Sequence, residues 1–194
     1  MVEESEFVDQ ISFQEGDVSE IPFEDEHFDW VWSADCVGYP VGNLLPILQE
    51  LARVVRPGGS VNILAWSSQS LLPGYSMLEA RLNANCSVFN SIFQGKRPET
   101  HFMRALGWFK KAGLEDACGQ SFVSDVQAPI SEDVREALIS LFQMLWSEPQ
   151  PEVSQEDWRE YKRICTPESP DFILALPDYY AFFTYTLFRG TVPG

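Results

Sequence analysis

The sequence predicts an α/β fold, a sheet layered with helices, and three observations carry the prediction. Phe28-Asp29-Trp30-Val31-Trp32-Ser33 has the β-branched and aromatic make-up of a buried strand. Residues 43–55 place apolar side chains at 44, 47, 48, 51, 54 and 55, the spacing of one helical face. Arg56-Pro57-Gly58-Gly59 then stops that helix, and Ser60-Val61-Asn62-Ile63-Leu64 resumes as a strand. Strand, helix, turn and strand in this order make half of an open α/β sheet. With 194 residues, 45% of them hydrophobic, the chain has material for the core of one domain.

Taken in order, residues 1–10 are acidic and weakly amphipathic, like the tail of a helix. Ile11-Ser12-Phe13-Gln14-Glu15-Gly16-Asp17-Val18 is a short apolar run ending in a Gly-Asp turn, and a first strand is expected there. Pro22-Phe23 and an acidic turn lead into the second strand. Beyond the third strand the rhythm breaks: residues 66–70 read as a loop, 71–75 as a turn, and a helix runs from Ser76 to about Asn85. An insertion at this point, residues 67–100, is where a substrate lid would sit. Its Trp66, Tyr75, Phe89 and Phe93 suit a core as well as they suit a ligand. Phe102, Met103, Leu106, Phe109 and Ala112 share one helical face that ends at Gly113, and a strand is expected over 119–128. Ser131 announces a helix to Trp146, a Pro- and Glu-rich loop follows, and residues 157–164 form a short helix broken at Thr166-Pro167. The run from Tyr180 to Phe188 is the strongest strand signal in the chain.

Four pieces in order at close spacing resemble a known family: Gly16-Asp17-Val18, Ile21-Pro22-Phe23, Phe28-Asp29-Trp30-Val31, and Leu51-Ala52-Arg53-Val54-Val55-Arg56-Pro57-Gly58-Gly59. They resemble the second half of class I S-adenosylmethionine-dependent methyltransferases of the small-molecule type 11 kind. The resemblance implies a Rossmann-like methyltransferase sheet, N-terminally truncated, with strands 3 to 7 of the family in a three-layer sandwich. It implies a single domain over 1–194: a cofactor-side core over 1–66, the lid over 67–100, and C-terminal helices with closing antiparallel strands over 101–194. The family's opening strand, Gly-x-Gly-x-Gly turn, helix and second strand have no counterpart before Ile11. In the family's strand order, 3-2-1-4-5-7-6, their loss opens a gap of roughly 14 Å between this chain's first two strands, at about 4.8 Å per spacing. The expectation is that the first strand re-pairs beside Phe28, or that a second copy covers the opening as a homodimer.

The resemblance also assigns a site. Asp17 would accept from the adenine amino group and the Val18 N–H would meet the ring, where a plain Gly-Asp turn is the competing reading. Ser33, Ala34 and Asp35 follow the second strand at the edge where open α/β sheets bind ligands. Small residues there let backbone approach a ligand, and Asp35 either faces a sulfonium or amine or caps the turn. Trp66 and Tyr75 are the substrate-side candidates. Methyl transfer from a sulfonium is a direct displacement with a neutral leaving group, so alignment and water exclusion dominate. A general base is needed only when the acceptor must lose a proton, and Asp35, Tyr39, Tyr75 and His101 are the candidates. His101 stands at a helix start, where a surface role competes. Three readings follow: an S-adenosyl-L-methionine-dependent enzyme whose sequence starts late, a non-catalytic remnant serving as a binding or dimerisation module, and a nicotinamide-dependent oxidoreductase. The last lacks its Gly-x-Gly-x-x-Gly.

Charge narrows the partners. The net charge is −16 and the pI about 4.3; no Lys or Arg precedes Arg53, while residues 3–29 hold eleven carboxylates. Nucleic acids and anionic membranes need cations to meet them, so both are disfavoured. Cys36, Cys86, Cys118 and Cys165 are scattered, as in a reducing cytoplasm. Two histidines, His27 and His101, make a transition-metal site unexpected. The N-terminus lacks the blocks of a signal peptide, and no run of about 18 apolar residues is present. A cytoplasmic chain acting on a small molecule is expected, with oxygen, nitrogen, sulfur and carbon acceptors all open.

Overall fold

The computed structural model describes residues 8–37, 44–84, 101–147 and 153–194. Nine helices and strands are described: β1 (Phe28–Ala34), α1 (Leu44–Arg53), β2 (Val55–Ser70), α2 (Ser76–Ala84), α3 (Ala105–Lys111), β3 (Glu115–Gln127), α4 (Glu132–Leu145), α5 (Gln155–Cys165) and β4 (Tyr180–Thr191). They build a four-stranded mixed sheet in the order β1-β2-β4-β3. β1 runs parallel to β2 through the α1 crossover, and β4 lies antiparallel between β2 and β3. The α/β fold that the alternating pattern predicts is the fold that forms.

Three local expectations are corrected. Residues 11–16 lie in no strand; the one ladder contact nearby is an isolated bridge between Asp17 and Glu20. Ile11 and Phe13 stand 45% and 80% exposed, so this apolar run has neither a neighbour to pair with nor a core to enter, and it does not re-pair beside Phe28. A strand is stable only as part of a sheet. Second, Arg56-Pro57-Gly58-Gly59 is no clean break. β2 already begins at Val55, and the register jumps from Phe28↔Val55 to Trp30↔Ser60, so the four residues form a bulge. Gly58 takes φ 78° and donates to Val192 O at 2.9 Å, while Val192 donates back to Gly59 O at 2.9 Å. Third, residues 66–70 continue β2 instead of looping, because Phe182, Phe183 and Thr184 of the strongly β-prone β4 pair with Ser70, Gln69 and Ser68.

Two cores hold the molecule. α1 and α3 pack on one face of the sheet, where Leu48, Val54, Val61, Ile63, Ala65 and Phe109 are fully buried. The other core gathers α2, α4 and α5 at the far end of the long strands, around Leu71, Leu72, Phe142, Ile164, Ile173 and Ala181. α4 begins as the sequence predicts, with Ser131 Oγ accepting the Val134 N–H at 3.4 Å, whereas α5 starts at Gln155, ahead of the helix expected over 157–164, because Ser154 Oγ accepts the Asp157 N–H at 3.0 Å. Trp30 and Trp32, pointing away from the α1 face, remain 58% and 48% exposed.

Candidate functional site

β1 and β2 are the parallel pair, and their C-terminal ends form the edge where ligands meet open α/β sheets. Ala34 pairs with Leu64, and the Asp35 N–H donates to Leu64 O at 2.9 Å, one last step of the parallel ladder. Asp35 then turns the chain with φ 46°, a left-handed conformation that Asp tolerates better than most residues. Its Oδ1 accepts the Trp66 N–H at 3.0 Å and its Oδ2 accepts the Tyr185 hydroxyl at 2.8 Å. Ser33, buried, accepts the Val37 N–H on Oγ at 3.1 Å, which sets the first turn after the strand.

Trp66 lies half-buried beside this corner. Its ring stacks on Phe183 with centroids 4.8 Å apart and meets Tyr185 edge-on at 5.5 Å. Partial burial, then the Asp35 carboxylate, push the Tyr185 phenol up to about 12, so it is a neutral hydrogen-bond donor across the physiological range. Ser33, Ala34, Asp35 and Trp66, separated by as many as thirty-odd positions in sequence, therefore converge at one edge. Tyr185 joins them from the other end of the chain. No sequence signal marked it beyond its place in the strongest strand.

The other predicted residues lie elsewhere. Gly16 rests against Pro22, and the loop that carries Asp17 and Val18 is anchored where β1 begins, away from Asp35. Asp17 binds the Ser19 N–H at 2.8 Å and the Ser19 hydroxyl at 2.6 Å, and these bonds hold its carboxyl below the usual range. Val18 packs under α1. Tyr75 accepts from Arg163 at 3.1 Å and leans on the helical core. His101 caps the turn at Phe102–Arg104, its Nδ1 accepting the Met103 N–H at 3.2 Å. Tyr39, Phe89 and Phe93 lie outside the described residues, as does Cys86.

The acidic loop has its own organiser. Arg53, the first cation in the sequence, donates to Glu50 at 2.9 and 2.7 Å, to Ile21 O at 3.0 Å, to Phe23 O at 2.9 Å and to Asp25 at 2.7 Å. Glu50 also takes the Ile21 N–H at 2.8 Å, and Arg53 together with that bond pulls its carboxyl down to about 2. An open groove of about 710 Å³ lies here, lined by residues 19–24 with Glu50 and Arg53. With every guanidinium direction already occupied, the groove is a structural hub.

A receptor for S-adenosylmethionine needs more than the described residues bring to the β1–β2 edge. No glycine-rich turn faces the β1–β2 edge among them, Asp17 sits with the opposite end of β1, and both oxygens of Asp35 are engaged. A cradle for the whole cofactor is not assembled among the described residues.

Residues 1–63 match the family model described as "Methyltransferase domain". A probable tocopherol O-methyltransferase of Oryza sativa subsp. japonica is 39% identical over 71 residues, 37% of this chain and 19% of that protein. The demethylmenaquinone methyltransferase of Lysinibacillus sphaericus is 42% identical over 72 residues, 36% of this chain and 29% of the relative. That of Bacillus subtilis is 27% identical over 136 residues, 61% of this chain and 55% of the relative. The chain thus spans between a fifth and just over half of the relatives it matches. Among solved structures, a putative methyltransferase from Bacillus halodurans shares 17% identity, with 95% of this chain and 79% of that chain covered and a TM-score of 0.46, too loose to carry more.

Proposed function

We propose that this chain, methyltransferase-domain sequence over residues 1–63, takes part in methyl transfer from S-adenosyl-L-methionine to a small-molecule acceptor. The observation that supports it most is that the family match falls on β1, α1 and the start of β2, which form a parallel pair with an open C-terminal edge. When bound, the cofactor supplies an electrophilic methyl group on a cationic sulfur. What the chain's own residues do is orient and exclude water. Ser33 fixes the turn by holding the Val37 N–H, Ala34 leaves room for backbone approach, and Trp66 with Phe183 forms a flat apolar wall.

That wall favours an apolar acceptor with a planar ring, in keeping with relatives named for demethylmenaquinone and tocopherol. The adenine role of Asp17 and Val18 requires the loop over 11–25 in an arrangement other than the one described.

Titration calorimetry with S-adenosylhomocysteine tests the proposal, and near-equimolar binding is expected. A second reading, a non-catalytic binding module, is favoured by the engagement of Asp35 and the separation of Asp17 from it. It predicts no change in melting temperature at saturating S-adenosylhomocysteine. A ligand that binds only the native state at 100 times Kd would add about 2.7 kcal/mol.

A further inference from the structure

Asp35 sits exposed at the corner where three strands meet, and its N–H and both carboxylate oxygens bond to β2 and β4. In a parallel pair, one residue donates its N–H to the partner strand and its carbonyl accepts the N–H two positions further along that strand. Asp35 donates to Leu64 O at 2.9 Å, and the N–H next in line is that of Trp66. The Asp35 carboxylate takes that N–H, so the side chain extends the ladder where the backbone turns at φ 46°. The second oxygen reaches past β2 to the Tyr185 hydroxyl on β4, directly across from Trp66 in the β2–β4 register. Trp66 is held further by its stack on Phe183.

We propose that Asp35, Tyr185 and the Trp66 backbone form a clasp across β1, β2 and β4, and that Asp35 is a positioning residue that fixes the Ser33–Ala34–Asp35 backbone for ligand approach instead of serving as base or counter-ion. The ligand half of this rests on the reading that ligands meet the chain at this edge. Each oxygen of the Asp35 carboxylate already accepts one hydrogen bond from the sheet, so about half of its acceptor capacity is committed there. Moving it to a substrate would leave the Trp66 N–H and the strand end unsupported. Burial first, and then the Asp35 carboxylate, raise the Tyr185 phenol.

The test uses the full chain with Tyr185→Phe, Asp35→Asn and the double variant. Asn tolerates the left-handed conformation as Asp does, so D35N removes acceptor capacity without adding backbone strain. Each single variant is expected to lower the folding equilibrium constant roughly tenfold, and the double variant to be no worse than D35N alone. Tyr185 followed by ¹³Cζ NMR, assigned through Y185F, should ionise near 12 in the wild type and at a lower pH in D35N. S-adenosylhomocysteine affinity should fall about tenfold in both singles, with Asp35→Ala weaker still and Asn a partial rescue. Additive single effects and an unmoved Tyr185 titration overturn the clasp. Wild-type affinity in D35N and Y185F, with the coupling intact, overturns the positioning role. No binding by the wild-type chain overturns the functional reading and the ligand half, and the first two readouts still decide the clasp.

Discussion

Glu79 shows how much one buried acid can organise. It is 4% exposed, and its two oxygens accept the N–H groups of Leu71 at 2.7 Å and Leu72 at 3.1 Å where β2 leaves the sheet; Tyr179 donates to Leu71 O from the other side at 3.0 Å. Burial raises its carboxyl above the usual range, against the pull of those two N–H groups, and also pushes the Cys165 thiol up. Glu79→Ala should cost about 2–4 kcal/mol in urea denaturation, because two buried donors lose their acceptor; a cost under 0.5 kcal/mol would mean water replaces the carboxylate. Glu50 titrates the other way. Its depressed carboxyl contributes stability that is fully present above 4.5 and lost as pH falls toward about 2. Acid unfolding of Glu50→Gln should therefore lack that share of the slope between these limits, and an unchanged acid limb would show that the Arg53 hub carries no net stability. Glu79 has the opposite sign: its contribution is complete below 4.5 and fades as pH rises through its elevated folded value.

Among the elements, β2 is where local signals and tertiary pairing conflict. Gly59 is required by close approach: a Cβ there would meet Asp29 O, Val55 Cγ1 at 2.5 Å and Arg56 O at 2.9 Å, mostly rigid backbone. Gly59→Ala should destabilise by about 1–3 kcal/mol and weaken amide protection at Trp30 and Val31, which hydrogen exchange would report; full protection would place the bulge outside the cooperative unit. The amphipathic α1, the Ser131-capped α4 and the aromatic β4 were legible because each carries its own period or cap. The residues over 11–18 were misread, because an apolar run specifies a strand only when a neighbour is there to pair. Residues 66–70 were misread for the converse reason, since polar Ser67, Ser68 and Gln69 gave no local strand signal and owe their conformation to β4. Around Asp35, the place of Ser33, Ala34 and Asp35 at and just past the end of β1 was legible, whereas Trp66, expected to open a loop, lies within β2. Tyr185 was not legible, because its partner lies 150 positions away.

As a whole, the molecule is two-sided. One face of the sheet is sealed by α1 and α3. On the other, β1 presents Trp30 and Trp32 to solvent, edge-to-face at 6.3 Å, and β3 adds Phe122, 46% exposed. An exposed aromatic patch of this kind binds hydrophobic dyes and promotes association even in a chain of net charge −16. The double variant Trp30→Ser and Trp32→Ser should lose most anilinonaphthalene sulfonate fluorescence and any self-association by sedimentation, while its stability changes by less than about 1 kcal/mol because both rings are half in water already. Dye binding unchanged by the two substitutions would locate the sticky surface elsewhere.

In the function proposed above, ligand meets this chain at the C-terminal end of β1, beside Trp66 of β2. Amide chemical-shift mapping of the ¹⁵N-labelled chain during titration with S-adenosylhomocysteine tests it most directly. Saturable shifts centred on Ser33, Ala34, Asp35 and the Trp66 N–H are predicted. Shifts confined to the Arg53 hub and the loop over 17–25, or no shifts at all, would contradict it.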